Sequence, residues 1–156
     1  MSENSTISLL IVLSFIMKIC GVEIKGNDAI ICLMSLKDGL FALHECRVKR
    51  LSIADATDTE QLKKFQFDFA KLVEDYQIEH IVIRERMTKG KFAGGAVGFK
   101  LEAAIQLMDN VSVSLISPSH CKEIMKKSQL QMNFSDTGLK QFQELSFMTA
   151  LSYLER

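Results

Sequence analysis

The chain has 156 residues, 47% hydrophobic and 24% charged, which is long enough for one domain with a real core and too short for two. Lys and Arg match Asp and Glu at 19 each, so no global field draws the chain to nucleic acid or a membrane, and any such contact has to rest on local clusters. Cys20, Cys32, Cys46 and Cys121 form no C-x-x-C pair and have no His at ligand spacing. They suggest neither a zinc site nor a redox motif, and reduced thiols in a cytoplasmic protein are the expectation.

The apolar run from Ile7 to Ile16 is too short to span a bilayer and follows Glu3 instead of a basic segment. It is either a helix or strand appended to the domain or an upstream extension. The compact strand pattern that starts at Lys18 favours the extension, so residues 1–16 are set apart and 17–156 form a single domain. Lys18 to Lys25 is strand-like, Asp28 to Leu36 is a second strand after a Gly-Asn-Asp turn, and Gly39 to Ser52 is a third after "KDG". Asp58 or Thr59 caps a helix to about Tyr76, with Leu62, Phe65, Phe69, Leu72 and Val73 spaced by threes and fours. "EHIVIRER" is a buried-type strand, and "MTKGKFAGGAVGFKLEAAIQLMDN" is a Gly-rich loop leading into a second helix. "VSVSLISP" is an alternating strand stopped by Pro118, with Ser117 or Ser119 capping the helix "HCKEIMKK". A polar loop from about Ser128 to Thr137 precedes a last helix, Gly138 to Leu154.

Glu23 interrupts the first strand. A carboxylate in an apolar interior is costly unless it is paired, hydrogen-bonded or metal-bound. Its partner is therefore either a metal or a cation such as Lys25, Arg84 or Arg86. Glu85 lies between two arginines and is open to the same two readings, metal ligand or ion network. His80 and His120 fall at element boundaries and His44 has no partner motif, so none of the three is expected as a ligand. "RERMTKGK", "RVKR" and "KEIMKK" supply local positive charge, either a solvated basic surface or a contact to a phosphate backbone.

Three strands in meander followed by strands alternating with helices require an antiparallel start and then parallel pairings with right-handed crossovers. That order resembles the α/β ribonuclease H-like fold, a mixed five-stranded sheet flanked by helices, and within it the RuvC-like branch of Holliday-junction resolvases. "GVEIKG" places Glu23 where that branch has its first metal-binding acid, "IVIRER" places Glu85 where a strand ends in an acid, and "ISPSHCK" resembles the strand, Pro and helix-borne Lys that would be Lys122. The opening "MKICGVEIKGNDA" also resembles that of an uncharacterised bacterial family of unknown function.

The resemblance implies a Mg²⁺-dependent nuclease on structured nucleic acid, with Glu23 and Glu85 holding metal and Glu144 as a third catalytic acid. Nucleic-acid contacts are then expected from Lys25, Arg86, Lys89, Lys91 and Lys122, with a homodimer as one possible assembly, while the short apolar run and zero net charge point to no membrane. The last helix departs from the branch: matching its pattern at Ala150-Leu151 puts Ser146 and Thr149 at the acidic positions, and Glu144 or the upstream Asp136 fits the spacing poorly. The carboxylate set is incomplete on this reading. The alternative is a catalytically inactive domain of the same fold that binds nucleic acid or another protein. A phosphotransfer member of the wider group is disfavoured, since no Gly-rich nucleotide loop is present.

A chain that starts at Met17 is expected to keep its melting temperature within a few degrees, given that 1 kcal/mol shifts Tm by roughly 2–8 °C in domains of this size. Thermal unfolding checks this, and a large loss would show that Ile7 to Ile16 packs into the core.

Overall fold

Alternation along β1 (Met17–Lys25) sends Cys20, Val22 and Ile24 into one hydrophobic cluster and Ile19 into another, so both faces of this strand are covered. A computed structural model describes residues 16–91, 94–130 and 132–156. The segment set apart as an extension lies outside the described residues except for Ile16. β2 (Asp28–Lys37) returns antiparallel to β1, with Glu23 opposite Ile30. β3 (Leu40–His44) pairs with the far half of β2, and β4 (Arg50–Ser52) pairs with its near half. The single strand expected over Gly39 to Ser52 is thus two pieces. Between them the Ile31 amide donates to the Lys49 carbonyl at 3.0 Å, and the intervening backbone leaves the ladder.

β5 (His80–Arg84) runs parallel to β1, and β6 (Ser112–Ile116) runs parallel to β5. Among the described residues the sheet has six strands in the order β3-β2-β1-β5-β6, with β4 beside β2, so the expected mixed sheet is present and carries one extra short strand. Helices α1 (Thr59–Tyr76) and α2 (Ala96–Gln106) make the crossovers and cover the Cys20 face with Phe65, Phe69, Leu101 and Ile105. Asp58 caps α1 by accepting from the Glu60 amide, and Ser117 caps α3 (Pro118–Lys127) by accepting from His120. Among the described residues no helix is long and apolar enough to cross a membrane.

The last helix, α4 (Glu144–Glu155), begins later than the sequence pattern suggests, after a 3₁₀ turn over Gln141–Gln143. With α3 it covers the opposite face, packing Cys121, Phe147, Ala150 and Leu151 on Ile19, Cys32, Met34 and Val82. The helix backbone meets the strand backbone at Gly21. A Cβ there would fall on the Ser146 carbonyl oxygen and 2.7 Å from the Ala150 Cβ, so glycine is the residue that lets α4 seat on β1.

Gly21→Ala is therefore expected to push α4 off the sheet and lower stability by about 1–3 kcal/mol, the usual cost of overpacking. Urea unfolding checks this. An unchanged midpoint would mean that α4 has room to move.

Candidate nucleic-acid interface

The parallel strands β1, β5 and β6 end at one edge of the sheet, the place where open α/β sheets present ligands. Val22 stands opposite Ile83, so one residue further along both strands Glu23 stands beside Arg84. Glu23 also opposes Ile30 of β2, which in turn opposes Arg50 of β4. Residues directly opposite in a sheet share a face. One rung thus carries Arg84, Glu23, Ile30 and Arg50 on the face that α4 covers.

Glu23 is half-buried and, among the described residues, makes no hydrogen bond or ion pair. Burial pushes its carboxyl above the usual range, and Lys25 and Arg84 oppose that shift only in part. Glu85 follows β5, and its amide donates to the Ile116 carbonyl at 2.9 Å, so the extended pairing continues through it. Alternation then turns its exposed side chain to the α1 and α2 face, where its charge pushes up the Glu102 carboxyl. The sheet separates Glu23 from Glu85. Glu144 opens α4 and accepts from the Gln141 side chain at 2.6 Å.

Ser146 and Thr149, at the positions where the resemblance calls for acids, are fully buried. Their hydroxyls donate within the last turn and helix, to the Gln143 carbonyl at 2.9 Å and the Leu145 carbonyl at 2.7 Å. Among the described residues no three His, Cys, Asp or Glu side chains group so as to hold a metal ion. Two Mg²⁺ ions need several converging carboxylates. The donors here do not fit that requirement: Glu23 stands with a guanidinium on its rung, and Glu85 faces away.

The basic residues divide into two sets. Lys25 ends β1, Lys89 and Lys91 are exposed in the segment after β5, and Lys122 is exposed on α3 just beyond the end of β6. Arg86 is different. Its guanidinium lies 4.4 Å from the Phe99 ring centroid and donates to the Gly95 carbonyl at 3.3 Å. A Cβ at Gly94 or at Gly98 would come 2.6 Å from its Cζ, so the Gly-rich segment is small there to admit Arg86. The Gly94 amide, beside this socket, donates to the Met87 carbonyl at 2.8 Å.

Glu102 faces the same socket, and the sequence reading missed it. Burial raises its carboxyl, Arg86 opposes the rise and Glu85 adds to it, while among the described residues Glu102 Oε2 and Arg86 Nε have no hydrogen-bond partner. Its spacing of four from Gly98 on an amphipathic helix was the available signal. Arg50 was visible only as part of "RVKR", because its place on the Glu23 rung depends on the break between β3 and β4.

With its carboxyl raised, Glu23 binds a proton more tightly in the folded chain than in the unfolded one. Its contribution to stability is complete below the ordinary carboxylate range and is lost as pH rises through the folded value. Glu23→Gln is expected to match or exceed the wild-type Tm at about pH 7, with the difference closing toward about pH 4. Melting curves across pH check this, and a Tm far below wild type at neutral pH would reveal an ion pair holding Glu23.

Residues 17–153 match the family described as "Protein of unknown function (DUF3010)". No curated protein sequence matches the chain. Among solved structures, RuvC of Thermus thermophilus is similar with a TM-score of 0.66 at 11% identity, covering 89% of this chain and 94% of that one. T. thermophilus RuvC in complex with a Holliday junction substrate gives 0.61 at 13% identity over the same shares. At such identities the likeness establishes the ribonuclease H-like fold alone. By sequence the chain belongs to the DUF3010 family, and its fold is ribonuclease H-like.

Proposed function

We propose that the protein is a ribonuclease H-like domain that holds the phosphate backbone of a structured nucleic acid along the carboxyl edge of its sheet, without a two-metal hydrolytic centre. The observation that carries this reading is the rung on which Arg84 stands beside Glu23 and Arg50 lies beyond Ile30, while Glu85 takes the other face. Lys25, Lys89 and Lys122 extend the positive charge along that edge in a chain of zero net charge. Attraction of this kind is local and screened within about 10 Å at 0.1 M salt. The junction-bound RuvC of similar fold supports structured nucleic acid as the ligand class.

Glu23 has a defined part in this arrangement. A phosphate seated against Arg84 and Lys25 places a second negative charge near its carboxylate and raises its pKa further. Protonated, the carboxyl becomes a hydrogen-bond donor to a phosphate oxygen, so binding tightens as pH falls.

A second reading has one observation in its favour. The half-buried Glu23 carboxylate, which among the described residues makes no hydrogen bond or ion pair, is where a cation would be stabilised, and a metal-dependent nuclease would then draw on Glu23, Glu85 and Glu144 with Mg²⁺. That reading requires Glu85 to be re-aimed across the sheet edge.

Fluorescence anisotropy with labelled single-stranded and four-way-junction DNA and RNA, in EDTA, separates the two. The proposal expects binding that weakens as salt rises, with a log–log slope of roughly −0.7 to −0.9 per phosphate contacted. Lys25→Glu and Lys89→Glu are expected to reduce it, and added Mn²⁺ is expected to yield no cleavage. Cleavage products that appear with Mn²⁺ and vanish in Glu23→Gln would establish the nuclease instead.

A further inference from the structure

A cleft of about 510 Å³ opens beside the Glu23 rung, lined by Lys25, Asn27, Asp28, Ile30, Arg50 and Phe142. That volume falls in the range of small-ligand sites, roughly 300–1,000 Å³. Its floor is Ile30, the cross-strand partner of Glu23. Phe142 is 39% exposed, and the Arg50 guanidinium lies 5.1 Å from its ring centroid. Arg50 is itself half-exposed and only 3.8 Å from Asp28, a solvent-screened pair that leaves the guanidinium available.

The backbone that carries the ring is anchored in spite of the ring's exposure. Phe142 sits at the centre of the 3₁₀ turn Gln141–Gln143, and the side chain of Gln143 fixes that turn at two points. Gln143 Nε2 donates to the Ile31 carbonyl at 3.0 Å, and its Oε1 accepts from the Lys140 amide at 3.0 Å. Gln143 is 4% exposed, so this anchor is part of the core. A large aromatic ring on an anchored turn at a cleft, with a cation over it, presents aromatic surface on backbone that does not need to be ordered when a ligand arrives.

We infer that this cleft is a stacking subsite for one unpaired nucleotide base, with Phe142 as the platform and Arg50 and Lys25 beside the flanking phosphates. The inference rests on the proposed nucleic-acid function and names the part of the ligand that this edge selects. A base inside a duplex is already stacked on its neighbours and cannot reach the ring. A single-stranded or splayed nucleotide can, because every base has a π face that stacks on an aromatic side chain and on arginine. Asp28 at the cleft is already engaged, one carboxylate oxygen accepting from the Ser52 hydroxyl at 2.5 Å and the other facing Arg50.

The test uses single-stranded oligonucleotides carrying one 2-aminopurine, followed by fluorescence for stacking and by anisotropy for affinity, with the matching duplex as the second ligand. Wild type and Phe142→Trp are expected to quench the probe. Phe142→Ala and Phe142→Leu are expected to lose the quenching and bind the single strand roughly tenfold more weakly, with duplex affinity little changed. The leucine variant keeps apolar bulk, and its melting temperature separates loss of stacking from loss of fold. Unaltered quenching and affinity in both variants would overturn the stacking subsite while leaving the nucleic-acid function standing. No binding of any oligonucleotide by wild type would overturn that function and the subsite with it.

Discussion

The seating of α4 on β1 at Gly21 is the constraint on which the rest of the structure depends. Helix and strand meet backbone to backbone there, which brings Ser146 and Ala150 against the central strand and fixes where the helix begins. Its start then delivers the turn with Phe142 and the first residue, Glu144, to the carboxyl edge. Had position 21 carried a side chain, the helix would stand off from the sheet, and Ile19, Cys32 and Val82 would lose part of their cover.

Electrostatics decides what that edge does. A half-buried carboxylate is disfavoured in its charged form, and Lys25 and Arg84 offset that cost at Glu23 only in part. The second guanidinium-carboxylate neighbourhood, Arg86 with Glu102, lies on the other face, where Arg86 packs on Gly94, Gly98 and Phe99. Cations presented to solvent, Lys25 and Lys89 among them, are left to meet a ligand. Metal chemistry would need the acids of both faces on one side, and strand alternation keeps them apart.

Much of this was legible in the sequence, and the failures have a common cause. Alternation and turn residues placed β1, β2, β5 and β6, and the three-and-four spacing of Leu62, Phe65, Phe69 and Val73 placed α1, because these signals are local. The break between β3 and β4 was not visible, since the bond that pulls Lys49 to Ile31 joins residues distant in sequence. The start of α4 was misplaced because the Gln143 anchor to Ile31, which sets the turn, joins residues distant in sequence. Arg86 resembled a phosphate contact because its socket is assembled from three separate points, Gly94, Gly98 and Phe99. Glu23 and Glu85 looked like companions because their order matched a known motif, whereas their faces follow from the β1–β5 register.

The most direct measurement is a crystal structure of the protein with a short single-stranded oligonucleotide, grown in the presence of Mn²⁺. The account predicts phosphate density beside Lys25 and Arg84, a base on Phe142 and no metal between Glu23 and Glu85. An oligonucleotide bound on the outer surface of α1 and α2, or Mn²⁺ bridging Glu23 and Glu85, would contradict it.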